Sequence, residues 1–281
     1  MRSISVDTIQ KQVASLCLTA AFDLPQDVHQ AIACAAGKEA SPLGRSMLNQ
    51  LLENAGIAAK ERVPICQDTG VAVFFVELGQ EVAITGGTLQ EALTKAVAQG
   101  WKEGYLRASV VEDPLFTRKN TGINGPPVVH LELVPGDRLT ITLAPKGGGS
   151  ENMSALAMLK PTLGPDAVAD FIVDTVVKAG GNPCPPVIVG VGIGGNFEMA
   201  PYLAKKALLR HVGEPHPDSR YAAFEQQVLD RINASGVGPQ GLGGTTTAMA
   251  VLVETYPCHM ASLPVAVNIN FNAAPHATIE L

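Results

Sequence analysis

The chain has 281 residues, 46% of them apolar and only 16% charged, with a net charge of −6. That composition excludes a disordered chain, which combines high charge with poor hydrophobicity. The acidic balance advertises no basic surface for nucleic acid or an anionic membrane. The length permits one large domain or two small ones, and we read residues 1–281 as a single domain.

Residues 5–21 carry apolar side chains at three- to four-residue intervals (Ile9, Val13, Leu16, Ala20), which predicts a helix. Pro25 opens a second helix over roughly 25–36, and residues 42–55 form a third, with Ser41 as cap and Gly56 as stop. The N-terminal third is therefore expected to be helical. VAVFFVEL (71–78) reads as a buried strand, and residues 88–106 return to helical period behind Thr88. VVHLELV (128–134) and RLTITLA (138–144) flank Pro135-Gly136-Asp137, a turn signature that predicts a β-hairpin. Residues 165–179 form an amphipathic helix, and VIVGVGIGG (187–195) is a strand running into a glycine-rich loop. Helices follow at about 197–211 and 218–233, then strands at 245–255 and 263–271. The expected fold is α/β or α+β, with a mixed sheet or sheets, at least one hairpin, and surrounding helices.

Five cysteines are present: Cys17, Cys34, Cys66, Cys184 and Cys258. Their number is odd, their spacing is wide, and MRSISVDTIQKQ lacks the apolar core of a secretory signal. No run approaches the roughly 18 apolar residues that cross a bilayer. A cytoplasmic location is expected, where thiols stay reduced and serve as metal ligands or nucleophiles more often than as disulfides. Cys17 and Cys34 fall at apolar helix positions and read as structural.

Chemistry is expected in the loops. Cys66-Gln67-Asp68-Thr69-Gly70 sets a thiol beside an amide and a carboxylate just before a strand. A site and a buried cysteine at a turn both remain open there. Lys146-Gly147-Gly148-Gly149-Ser150-Glu151-Asn152 ends a strand and opens a helix, so its N–H groups are able to converge on an anion. In Asn182-Pro183-Cys184-Pro185-Pro186, prolines on both sides stiffen a cysteine in an extended loop. The run 190–195 satisfies G-x-G-x-x-G. However, the acidic residues about 20 positions on, Glu214 and Asp218, lie in a loop and not at a strand end, against a dinucleotide site. Residues 238–247, GPQGLGGTTT, offer another glycine nest, and Cys258 adjoins His259. Neighbours on an extended strand point to opposite faces, which disfavours a Cys–His nucleophile pair.

In chain order, CQDTG, KGGGSEN, NPCPP with VGVGIGGN, GPQGLGG and CHMASLPVAVNI resemble the α subunits of the iron–sulfur hydro-lyases, the class I fumarases and tartrate dehydratases. The resemblance runs from about residue 40 to the C-terminus, and KGGGSEN is more similar to the fumarase loop. It implies reversible hydration of fumarate to malate, or dehydration of a related hydroxydicarboxylate, with a [4Fe–4S] cluster whose open iron acts as Lewis acid on the hydroxyl. By the same resemblance Cys66 and Cys184 match cluster ligands, and Asp68 and Gln67 match residues beside the substrate. Arg107 matches a carboxylate-binding arginine, Gly149 a backbone donor, and His259 a histidine lining the site, with Asp68 and His259 the catalytic pair. The resemblance further implies an α-subunit dimer and a β subunit that completes the pocket, since the chain ends at Leu281 without that second domain.

One departure matters. Where the family carries its third cluster cysteine, just after VAVNI, this chain has Phe271, followed by Asn272-Ala273-Ala274-Pro275. Phenylalanine has no atom that ligates iron. Three readings stay open: Cys258 substitutes as third ligand, the chain is a cluster-deficient and poorly active subunit, or it has become a binding or assembly partner of a β subunit. Cys258 also reads as a small core residue on a strand.

Overall fold

The computed structural model describes residues 1–281. In chain order the elements are β1 (Arg2–Ser5), α1 (Val6–Phe22), α2 (Gln26–Lys38), α3 (Pro42–Glu61), β2 (Val71–Gly79), β3 (Val82–Thr85) and α4 (Leu89–Glu103). There follow β4 (Val128–Val134), β5 (Leu139–Lys146), the single turn α5 (Gly148–Glu151), β6 (Ala155–Leu159), α6 (Gly164–Ala179) and β7 (Val187–Gly194). The chain closes with α7 (Met199–Ala207), α8 (Ser219–Asn233), β8 (Ala248–Tyr256), β9 (Leu263–Asn270) and β10 (Ala277–Glu280). Two compact units divide it: Met1–Leu24 with Ala55–Gly148 and Pro275–Leu281, and Pro25–Asn54 with Gly149–Ala274. No helix is long and apolar enough to cross a membrane.

The first unit is built on a four-stranded sheet ordered β10-β5-β2-β4. β5 and β2 are its interior strands, and β2, VAVFFVEL, is apolar and buried on both faces along most of its length. It runs parallel to β4 (Val73 opposite Val128) and antiparallel to β5 (Val71 opposite Lys146). Phe74, Leu139, Ile141 and Leu143 from this sheet meet Ile9 and Val13 of α1 and Leu93 and Val97 of α4 in one core. Side-chain oxygens accept the first helical N–H groups: Ser5 from Thr8 at 3.2 Å and Thr88 from Glu91 at 3.2 Å.

Two expectations change here. The segments 128–134 and 139–146 are strands joined at Pro135-Gly136-Asp137, but they do not pair with each other, because β2 lies between them. A turn signature fixes the reversal of direction and not the neighbour, and the more apolar β2 takes the middle place. A small antiparallel bridge, Val111 to Asn120, does close a hairpin-like loop elsewhere. The N-terminal region is helical as expected, yet β1 and β3 add a short parallel pair. Four residues are too few to show an alternating pattern.

The second unit carries a sheet ordered β6-β9-β7-β8. Along β7 the inward residues alternate. Val187, Val189 and Val191 point to a core shared with Ile172 and Val176 of α6 and Val228 and Ile232 of α8. Each such buried side chain contributes roughly 1.5–3 kcal/mol. On the other face stand Gly190 and Gly192. A Cβ at Gly190 would run into the Ala204 carbonyl of α7, and one at Gly192 into that of Ala200. The G-x-G pattern thus lets a helix backbone lie directly on a strand, which accounts for these glycines without a phosphate. α3 passes through Gly56 instead of stopping there. Ala55 and Ala58 are buried and carry the helical face across it.

Gly192→Ala is expected to cost about 1–3 kcal/mol or more by overpacking, seen as a lowered urea midpoint. Gly56→Ala, with nothing within 4 Å of a new Cβ, is expected to raise that midpoint, gaining about 0.4–1 kcal/mol.

Candidate active site

In the first unit, the loop before β2 is held from three directions. Gly70 adopts φ +70°, and a Cβ there would meet Lys146 backbone atoms at 2.5–2.8 Å, so only glycine lets the loop press on the end of β5. Asp68 turns its carboxylate back: Oδ1 accepts from Gly70 N at 3.1 Å and Oδ2 from Gly148 N at 2.8 Å. One donor of the glycine loop is therefore already taken by a carboxylate of the chain itself. Thr69, buried, donates to the Arg107 carbonyl at 3.1 Å. The structure thereby brings Asp68 and the backbone of Arg107 to one place. Cys66 is half-buried, its Sγ 3.4 Å from Gln67 Oε1.

Asn124 was not among the sequence candidates, yet it joins these pieces. It is fully buried; its Oδ1 accepts from Ser109 N at 2.7 Å and its Nδ2 donates to the Gly70 carbonyl at 3.0 Å. Its φ of +51° suits asparagine better than other side chains. An Asn before Gly-Pro is the signal that could have found it.

In the second unit, Cys184 is exposed with φ +55° in a turn closed by its N–H to the Gly181 carbonyl at 3.1 Å. It is not in an extended loop as expected; a left-handed non-glycine residue is strained and persists only where neighbours fix it. One such neighbour is Asn272, whose Nδ2 donates to the Cys184 carbonyl at 2.8 Å. Position 271 thus adjoins a residue that grips the cysteine's own peptide. Gly149 lies against the same loop: a Cβ would sit 3.4 Å from the Asn182 carbonyl. The expected helix after the glycines is a single turn, followed by β6. Glu151 pairs there with Lys205 and accepts from Asn268 Nδ2 at 2.9 Å.

Cys258 and His259 leave the strand before they occur, since β8 ends at Tyr256. Cys258 is exposed and so is not the core residue it could have been; its thiol donates to the Ser262 carbonyl at 3.4 Å. His259 Nδ1 accepts from Ala261 N at 3.1 Å, which leaves Nε2 to carry the ring proton of the neutral form. Of the two helix cysteines, Cys17 is structural as read, and burial pushes its thiol up to about 12. Cys34 is instead exposed on α2.

The glycine nest at 238–247 has an occupant. Glu39, fully buried, accepts from Thr245 N at 2.8 Å, Thr246 N at 2.8 Å and Ser41 N at 2.9 Å. No sequence signal marks it, for it is one Glu in the polar stretch GKEAS.

A three-thiolate cluster does not fit the residues present. Phe271 offers no donor atom, and no group of three or more His, Cys, Asp or Glu side chains is placed to hold a metal ion.

Asn124→Ala is expected to cost about 1–3 kcal/mol, because the buried Gly70 carbonyl loses its partner and the part-buried Ser109 N–H loses its own, measured as a lowered urea midpoint. For Glu39, burial raises the carboxyl pKa, but the N–H groups of Ser41 and Thr245 and the Thr246 and Thr245 bonds outweigh it and hold it at about 2, below the usual 4.5. A depressed pKa stabilises the fold above the unfolded value and loses that contribution as pH falls from about 4.5 towards 2. Glu39→Gln should therefore narrow the gap in stability between pH 7 and pH 3, followed by chemical denaturation at each pH.

The description fumarate hydratase (fumerase) belongs to the family model that matches residues 10–280. A putative L(+)-tartrate dehydratase subunit alpha from Methanocaldococcus jannaschii is 43% identical over 267 residues, covering 93% of each chain. The L(+)-tartrate dehydratase subunit alpha of Escherichia coli strain UTI89 is 33% identical over 280 residues, 99% of this chain and 92% of the relative. That of strain K12 is 33% identical over 267 residues, 94% and 88% respectively. With nearly its whole length matched, this chain belongs to the fumarase and tartrate dehydratase α-subunit family of hydro-lyases.

Proposed function

We propose that this chain is the α subunit of a hydro-lyase for a small dicarboxylate, completed by a β subunit, and that its metal-ligand set is short by one thiolate. As it stands it then acts mainly as a binding and assembly partner, with weak hydration activity or none. The observation that supports this is Phe271, next to the residue whose amide holds the Cys184 carbonyl. A side chain without a donor occupies the place where the family carries a cysteine.

The rest of the half-site keeps its chemistry in this reading. Arg107 pairs with one carboxylate of the substrate, and Gly149 N–H and Gln67 bind polar groups beside it. Asp68 and His259 move the proton. Asp68 suits a role at a fixed point, because two backbone N–H groups orient its carboxylate. Cys66 and Cys184 are the thiolates that remain. The relatives' names speak for tartrate, whereas Ser150-Glu151-Asn152 speaks for fumarate and malate, so both pairs belong in the assay.

The test is co-expression with a β subunit, anaerobic iron–sulfide reconstitution, and assay on malate and tartrate. Wild type should bind β yet be slower than Phe271→Cys by at least about tenfold, the low end for damage to a metal site. Equal activity of the two would contradict the proposal. Cys258→Ala addresses the substitute-ligand alternative: loss of activity in wild type on this change would establish Cys258 as the third ligand instead.

A further inference from the structure

We infer that Glu39 is a positioning residue for Cys184, acting through the glycine loop 238–246. The chain of contacts is short and lies within one unit. The Glu39 carboxylate is fully buried and accepts the N–H groups of Ser41, Thr245 and Thr246. Glycine walls this pocket: a Cβ at Gly244 would sit 2.7 Å from Glu39 Oε1, and one at Gly44 would sit 3.1 Å from Glu39 Cγ. The nest is thus shaped around a carboxylate and filled by one.

From the nest, the same loop runs back to the cysteine. Gln240 donates to the Pro185 carbonyl twice, from its backbone N at 2.7 Å and from Nε2 at 2.9 Å. Gly241, at φ +73°, approaches Gly181 so closely that a Cβ would lie 2.6 Å from the Gly181 Cα. Gly181 and Pro185 bracket Cys184, and the Gly181 carbonyl accepts the Cys184 N–H at 3.1 Å. The left-handed turn that presents the thiol is therefore pressed between Asn272 on one side and the Glu39-anchored loop on the other. A carboxylate is suited to the anchor because each N–H bond it accepts is charge-assisted and short, about twice as strong as a neutral one. Removing it leaves several buried N–H groups without a partner, and the loop they belong to loses its fixed position.

The role concerns the thiol's position and does not depend on a metal centre, so its test is separate from that of the proposed function. The readout is the alkylation rate of each cysteine with iodoacetamide, followed by mass spectrometry on the full chain. Cys34 and Cys258 are exposed controls, and Cys17, fully buried, reports general loosening. In Glu39→Ala, Cys184 should react several-fold faster while Cys34, Cys258 and Cys17 keep their rates. Acetate, added at increasing concentration, should slow Cys184 again by refilling the nest. Gly241→Ala, which wedges the loop from Gly181 and leaves the nest intact, should accelerate Cys184 without an acetate response. An unchanged Cys184 rate in folded Glu39→Ala overturns the inference. So does a parallel rise at Cys17, which lies in the other unit, in both variants: the Cys184 change would then be part of a general loosening of the chain. If Glu39→Ala does not fold, Gly241→Ala decides: an unchanged Cys184 rate there overturns it as well.

Discussion

The hydrogen bond from the Asn272 amide to the Cys184 carbonyl, 2.8 Å long, ties the end of β9 to the turn that presents a cysteine. Because of it, the identity of residue 271 is a chemical matter and not a detail of a surface loop. A thiol at that position would stand one residue from a group already touching the Cys184 peptide. A phenyl ring there is apolar and inert towards iron. The fold around it is kept: β9 is buried along its length, with Asn268, Asn270 and Asn272 all withdrawn from solvent. In the function proposed above, the donor set has changed while the scaffold around it is kept.

Glycine-rich segments do three different jobs in this protein. Along β7 they let α7 lie on the strand backbone. At 146–149 they let Asp68 reach a backbone N–H. At 238–246 they form a nest already filled by Glu39. Flexible backbone and convergent N–H groups identify a place where an anion is held. They do not say whether that anion is a ligand or a side chain of the same chain, and here two of the three segments hold carboxylates of the protein.

Much of the fold was legible because its elements are strongly patterned. The helices at 6–22, 89–103, 164–179 and 219–233 carry clear apolar faces, and the strands at 71–79 and 187–194 are long apolar runs. The exceptions have physical causes. β1, β3, β6 and β10 are four or five residues long, too short for periodicity to register. Strand order was hidden because turn chemistry fixes the reversal of direction and not which strands become neighbours. Among the candidate residues, those with distinctive chemistry, Cys66, Asp68, Cys184 and Phe271, stand out in the sequence itself. The residues that brace the loops, Asn124, Asn272 and Glu39, act by burial and by hydrogen bonds to backbone. Such roles rest on contacts 54, 88 and 207 residues apart in sequence, and only Asn124, before Gly-Pro, leaves a local mark.

A chain short of one thiolate should retain less iron than a chain with all three, and that content can be counted. Iron and acid-labile sulfide should be determined per chain after anaerobic reconstitution with a β subunit, for wild type and Phe271→Cys side by side. Wild type should fall well short of a full complement, and Phe271→Cys should reach about four irons per chain, the content of a [4Fe–4S] cluster. A wild-type chain that retains that full complement would contradict the proposed shortfall of one thiolate.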